Sequence, residues 1–67
     1  MIISDFTEIE LDRFRDNCNF VSNEACVFEM RSHGMSLEEI AEVLNMSVDG
    51  IKKISRKVNR KIIRVLL

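Results

Sequence analysis

Seven cationic side chains lie within a short stretch of the sequence: Lys52, Lys53, Arg56, Lys57, Arg60, Lys61 and Arg64. Each ammonium or guanidinium group can donate hydrogen bonds to an anion. The planar fork of an arginine grips a phosphate or a guanine edge with two parallel bonds, whereas a lysine acts as a mobile point charge. No carboxylate interrupts the run after Asp49. Such a run suits a nucleic-acid backbone, and it equally suits a solvated helix face or the negative end of a long helix dipole. Charge alone does not choose between these.

Other reactive residues are sparse. Cys18, Cys26 and His33 form the series Cys-x7-Cys-x6-His, which lacks the closely spaced pairs of a zinc site and supplies three ligands at most. Reduced, buried thiols are expected rather than a disulfide. With one His, no nucleophile placed beside a base and no glycine-rich phosphate loop, the sequence does not predict an enzyme, and no cofactor or metal is expected.

The 67 residues (7.8 kDa) allow one domain, 1–67, with a small core. Hydrophobic residues at 46%, two Gly and no Pro favour an all-α chain with few interruptions. No apolar run approaches the ~20 residues that span a bilayer, and MIISDFTEIE has neither the basic region nor the apolar stretch of a signal peptide. These features predict a cytoplasmic protein with no membrane partner. The net charge of −1 conceals a division: residues 1–33 hold seven acids and three bases, residues 34–67 four acids and seven bases.

The elements that must position the cations are marked by helix starts. A Ser or Thr oxygen can accept from the unpaired amides of a first turn, while flanking apolar residues staple the entering chain. Thr7 with Glu10, Ser22, Ser36 with Glu39, and Ser47 all fit, with staple pairs Phe6/Leu11, Val21/Cys26, Met35/Ile40 and Met46/Ile51. Helices are predicted at 8–18, 23–33, 37–44 and 48–65, with Gly34 as a left-handed stop after the second. Leu11, Phe14 and Cys18 share a face of the first; Val27, Phe28 and Met30 supply the second. Leu37, Ile40, Ala41 and Leu44 form a stripe on the third, and Ile51, Ile54, Val58, Ile62 and Val65 run the length of the fourth. Met30, Met35 and Met46 read as core filler. After the third helix, Asn45 tolerates the left-handed exit that a tight turn requires, and small Ala41 lets two crossing helices approach.

In this spacing, SLEEIAEVLNMSVDGIKKIS resembles the helix-turn-helix of DNA-binding regulators. Residues 27–62 are similar to the fourth conserved region of RNA polymerase sigma factors, and more loosely to the DNA-binding domain of LuxR-type regulators. Val27-Phe28-Glu29-Met30-Arg31 leads through Gly34 into Ser36-x-x-Glu39-Ile40-Ala41. The likeness covers most of the chain if residues 8–26 are matched to the preceding helix. Asn45 stands where Gly is usual. Gly50 stands where a hydroxyl residue is usual, so either a phosphate partner is missing there or the bare backbone admits a close approach.

The resemblance implies a four-helix, sigma region 4-like domain whose fourth helix enters the major groove of double-stranded DNA. Its docking pattern makes Ser47, Val48, Asp49, Lys52, Lys53 and Arg56 the contact candidates. Lys52, Lys53 and Arg56 can reach guanine edges or phosphates, Val48 a thymine methyl, and Asp49 the cytosine amine. Lys57 and Arg60, then Lys61 and Arg64, suit phosphates or solvent. The expected role is a small transcription regulator. The alternative is a protein-interaction module that binds RNA polymerase or a sigma antagonist and does not bind DNA, its acidic first helix (Glu8, Asp12, Asp16, with Arg13) being either a solvated face or a partner surface. Ile2, Ile3, Ile63, Leu66 and Leu67 exceed what one helix seam needs, so either they pack on each other or they form a homodimer contact.

Overall fold

The computed structural model describes residues 2–67. A 3₁₀ turn at Ile3–Asp5 leads into four helices, α1 (Glu8–Asn17), α2 (Asn23–Ser32), α3 (Leu37–Leu44) and α4 (Val48–Leu66), and the described residues contain no strand. The helices lie within one residue of the predicted spans at every end.

Three of the four starts are capped as the sequence predicts. The Thr7 hydroxyl accepts from the Glu10 amide while the Glu10 carboxylate accepts from the Thr7 amide, a reciprocal box repeated by Ser36 and Glu39. Ser47 accepts from the Gly50 amide at 3.1 Å. Ser22 departs from the expectation, because its side chain makes no cap bond. Its backbone sits at φ 42°, ψ −116°, whereas a capping Ser needs the extended region to aim its oxygen at the first turn.

Two exits share one geometry. Gly34 adopts φ 84°, and the amides of Gly34 and Met35 bond back to Arg31 and Met30. Asn45 adopts φ 55°, and the amides of Asn45 and Met46 bond back to Glu42 and Ala41. Both are Schellman closures, which satisfy the orphan carbonyls of a helix end while reversing the chain. Asn45 therefore performs at the α3–α4 turn what Gly34 performs after α2.

All four helices contribute to one core: Leu11, Phe14 and Cys18 from α1 and its end, Val27 and Phe28 from α2, Ile40 and Ala41 from α3, and Ile51, Val58 and Ile62 from α4. Leu37, Leu44, Met30, Met35, Met46, Ile54 and Val65 pack around it, half-buried. The four phenylalanines form a chain of rings: Phe6 edge-on to Phe14 at 4.9 Å, Phe14 edge-on to Phe28 at 6.5 Å, and Phe28 tilted on Phe20 at 4.7 Å. Ile3 belongs to this core, because the 3₁₀ turn packs on α2. That corrects its grouping with Ile2, Ile63, Leu66 and Leu67, which remain exposed. The thiols divide too. Cys18 is buried, and desolvation raises its pKa, whereas Cys26 is exposed rather than buried; both are free.

Two ion pairs tie distant segments together. Arg15 lies over the Phe28 ring and grips both oxygens of Glu29, at 2.7 and 2.9 Å, with a further bond to Asp12. Lys61 donates to Glu24 and to the Asn19 carbonyl. Arg15 holds the Glu29 carboxyl below its ordinary value of 4.5, and Lys61 does the same for Glu24. A carboxyl whose pKa is lower in the folded state stabilises the fold above its unfolded pKa, and this contribution fades as pH falls through the folded value. Thermal melts at stepped pH are therefore expected to be level near neutrality and to drop below about pH 4.5. Glu24→Gln and Glu29→Gln should flatten that drop, and an unchanged drop in the double variant would assign it to other carboxyls.

Candidate nucleic-acid interface

The inward seam of α4 leaves its cations no place but the surface. Ile51, Val58 and Ile62 are 0% exposed, with Ile54 and Val65 half-buried beside them. At 3.6 residues per turn, the opposite side of the same helix must carry Asp49, Lys52, Lys53, Arg56, Lys57 and Arg60. All six are exposed, as is Ser47 at the cap. The nineteen residues of α4 run about 28 Å, close to the 30 Å long axis of the molecule. The cations thus form one continuous strip along a rigid rod.

Of the eight residues singled out from the sequence, Val48 is the exception. It is half-buried and packs against the core, so part of its side chain serves the turn rather than the outer surface. Ser47 accepts the Gly50 amide through Oγ and keeps its hydroxyl proton free to donate. A Cβ at Gly50 would lie 3.2 Å from Ser47 Oγ and 3.5 Å from Met46 Cε, so the turn's own side chains line the flank that the glycine leaves bare.

The salt bridges of the described residues involve two bases, neither of them in the strip. Arg15 is held by Asp12 and Glu29, and Lys61 by Glu24. Lys61 is the one member of the carboxy-terminal run that pairs with a carboxylate, so it is not simply a solvated base. Among the described residues, Lys52, Lys53, Arg56, Lys57, Arg60 and Arg64 enter no salt bridge. Glu38, Glu39 and Glu42 lie exposed on α3, and Glu8, Glu10, Asp12 and Asp16 on α1. The molecule therefore presents a cationic rod on an acidic body.

Sequence reading did not find Glu24 as a neighbour of this surface. It lines a groove with Lys57, Arg60, Lys61 and Arg64. Glu24 and Lys61 stand 37 positions apart, and no local pattern links them.

Asn23 Nδ2 approaches Met46 Sδ at 3.8 Å, which sets the start of α2 beside the α3–α4 turn. Among the described residues no three His, Cys, Asp or Glu side chains converge as a metal set, and no helix is long and apolar enough to cross a membrane. Comparison with known proteins found no matching family, no similar curated protein and no similar solved structure.

Proposed function

We propose that the chain binds double-stranded DNA as a small transcription regulator, with α3, the Asn45 turn and α4 acting as a sigma region 4-like helix-turn-helix and α4 lying in the major groove. One observation carries the reading: five cations, Lys52, Lys53, Arg56, Lys57 and Arg60, stand exposed along α4 and enter no salt bridge among the described residues, opposite the buried seam of Ile51, Val58 and Ile62. A cylinder with its side chains about 10–12 Å across matches the width of the B-DNA major groove. In this docking Ser47, Asp49, Lys52, Lys53 and Arg56 face base edges and the nearest phosphates, the exposed part of Val48 meets a thymine methyl, and Lys57 and Arg60 hold the backbone. Phosphate contacts set affinity and register, while base contacts set preference.

The test is selection of bound duplexes from a random pool at two salt concentrations. Enrichment of a defined site, with affinity falling by a slope of about −0.9 per phosphate contacted, is the expected result. Absence of retained duplex at low salt would overturn the reading.

A second reading rests on the other face. The acidic α1 and α3 surfaces each expose an apolar residue, Ile9 at 83% and Val43 at 60%. Such a surface suits a basic protein partner, RNA polymerase or a sigma antagonist, and in that case the chain works without binding DNA. Co-purification with such a partner and no salt-sensitive duplex binding would favour it. Exposed Ile63, Leu66 and Leu67 at the end of α4 are the surface a homodimer would use, and a cytoplasmic location belongs with either reading.

A further inference from the structure

The groove between the start of α2 and the second half of α4 is lined by Glu24, Lys57, Arg60, Lys61 and Arg64 and offers about 120 Å³, open to solvent. Four cations and a single carboxylate face one small space. Lys57, Arg60 and Arg64 have no carboxylate partner among the described residues. The ammonium group of Lys61 has three donors, of which Glu24 and the Asn19 carbonyl take two. Its third remains for a ligand. Glu24 is itself largely covered, its side chain 12% exposed, and accepts from Lys61 and, weakly, from the Val21 amide through Oε1; Oε2 takes neither bond.

The geometry points to this groove as a seat for one phosphate of the DNA backbone, with Glu24 as an internal counter-anion that limits how tightly the seat holds it. The inference rests on the duplex-binding reading and adds to it a residue from outside α4. A phosphate in the groove gains from Lys57, Arg60, Arg64 and the spare Lys61 donor, and is repelled by Glu24. The carboxylate also keeps Lys61 from swinging out to the strip. Glu24 thus lowers affinity without touching the base-reading end of α4, some two to three turns away along the helix.

Glu24→Gln keeps the shape and can still accept from Lys61, but removes the charge. Filter binding to two 20-base-pair duplexes of different sequence at low and at physiological salt is the test, with circular dichroism melts confirming that each variant is folded. Glu24→Gln is expected to bind at least about threefold tighter at low salt, with the ranking of different duplexes unchanged. Arg64→Ala, at a groove residue outside the α4 docking set, should make the salt slope shallower by about 0.9 if one phosphate is no longer engaged. Unchanged or weaker binding by Glu24→Gln, or an unchanged slope in Arg64→Ala, overturns the phosphate seat while leaving the α4 docking intact. Failure of the parent protein to bind any duplex removes both together.

Discussion

Replacing Lys52, Lys53 and Arg56 together by alanine is expected to weaken duplex binding at least about a hundredfold at physiological salt and to leave the fold in place. The size follows from what three side chains contribute: removing one that reaches a base or phosphate typically costs about 1–3 kcal/mol, and about 1.4 kcal/mol is already tenfold. The fold should survive because these side chains are exposed and, among the described residues, in no salt bridge. Alanine is also the strongest helix former, so α4 loses nothing intrinsic. Surface changes of this kind usually alter stability by less than about 0.5 kcal/mol each. Arg13→Ala supplies the comparison, since Arg13 is equally exposed but lies on the acidic α1. It should leave binding unchanged. The decisive measurement is a titration of duplex at several salt concentrations beside a thermal melt. A triple variant that melts normally and still binds with the parental salt slope would show that DNA, if bound, meets another face.

The cationic strip is also the part of the molecule most legible in the sequence. The seam of Ile51, Val58 and Ile62 follows from three-four spacing alone, and once it is buried the position of every cation on α4 follows from helix geometry. The α3–α4 turn is equally readable, since Asn45 is one of the few residues that accepts a left-handed exit without a large steric penalty. The α1–α2 connection is not. Ser22 carries the right side chain for a cap, but its backbone is set by distant contacts: Phe20 packs on Phe28, and Lys61 holds the Asn19 carbonyl from 42 positions away. Asn19 adopts φ 53° and Ser22 φ 42° in this segment. Local propensity says nothing of such constraints. The same holds for Arg15 and Lys61, which the charge pattern counts as ordinary surface bases until the packing of α1, α2 and α4 gives each a carboxylate partner.

Phe28→Ala is expected to unfold most of the population at 37 °C. Phe28 is 1% exposed and is one of the two inner rings of the aromatic chain, between Phe14 on one side and Phe20 on the other, with Arg15 over its face. Truncating a buried phenylalanine costs about 3–5 kcal/mol, from forfeited transfer energy and the cavity left behind. A single core in a chain of this length rarely supplies more than about 3–5 kcal/mol, so little or nothing remains. The damage also reaches the interface, because α2 carries Phe28 and is the helix on which α4 packs most extensively. Duplex binding should therefore fall with the folded fraction, in contrast to the triple alanine variant, which loses binding while folded. Phe28→Leu, which keeps much of the volume, should retain a cooperative melt at lower temperature. Ile9→Ala, at a site 83% exposed, should change little. Urea unfolding followed by circular dichroism checks all three, and a loss below about 1 kcal/mol for Phe28→Ala would mean that the rings pack too loosely to orient α4.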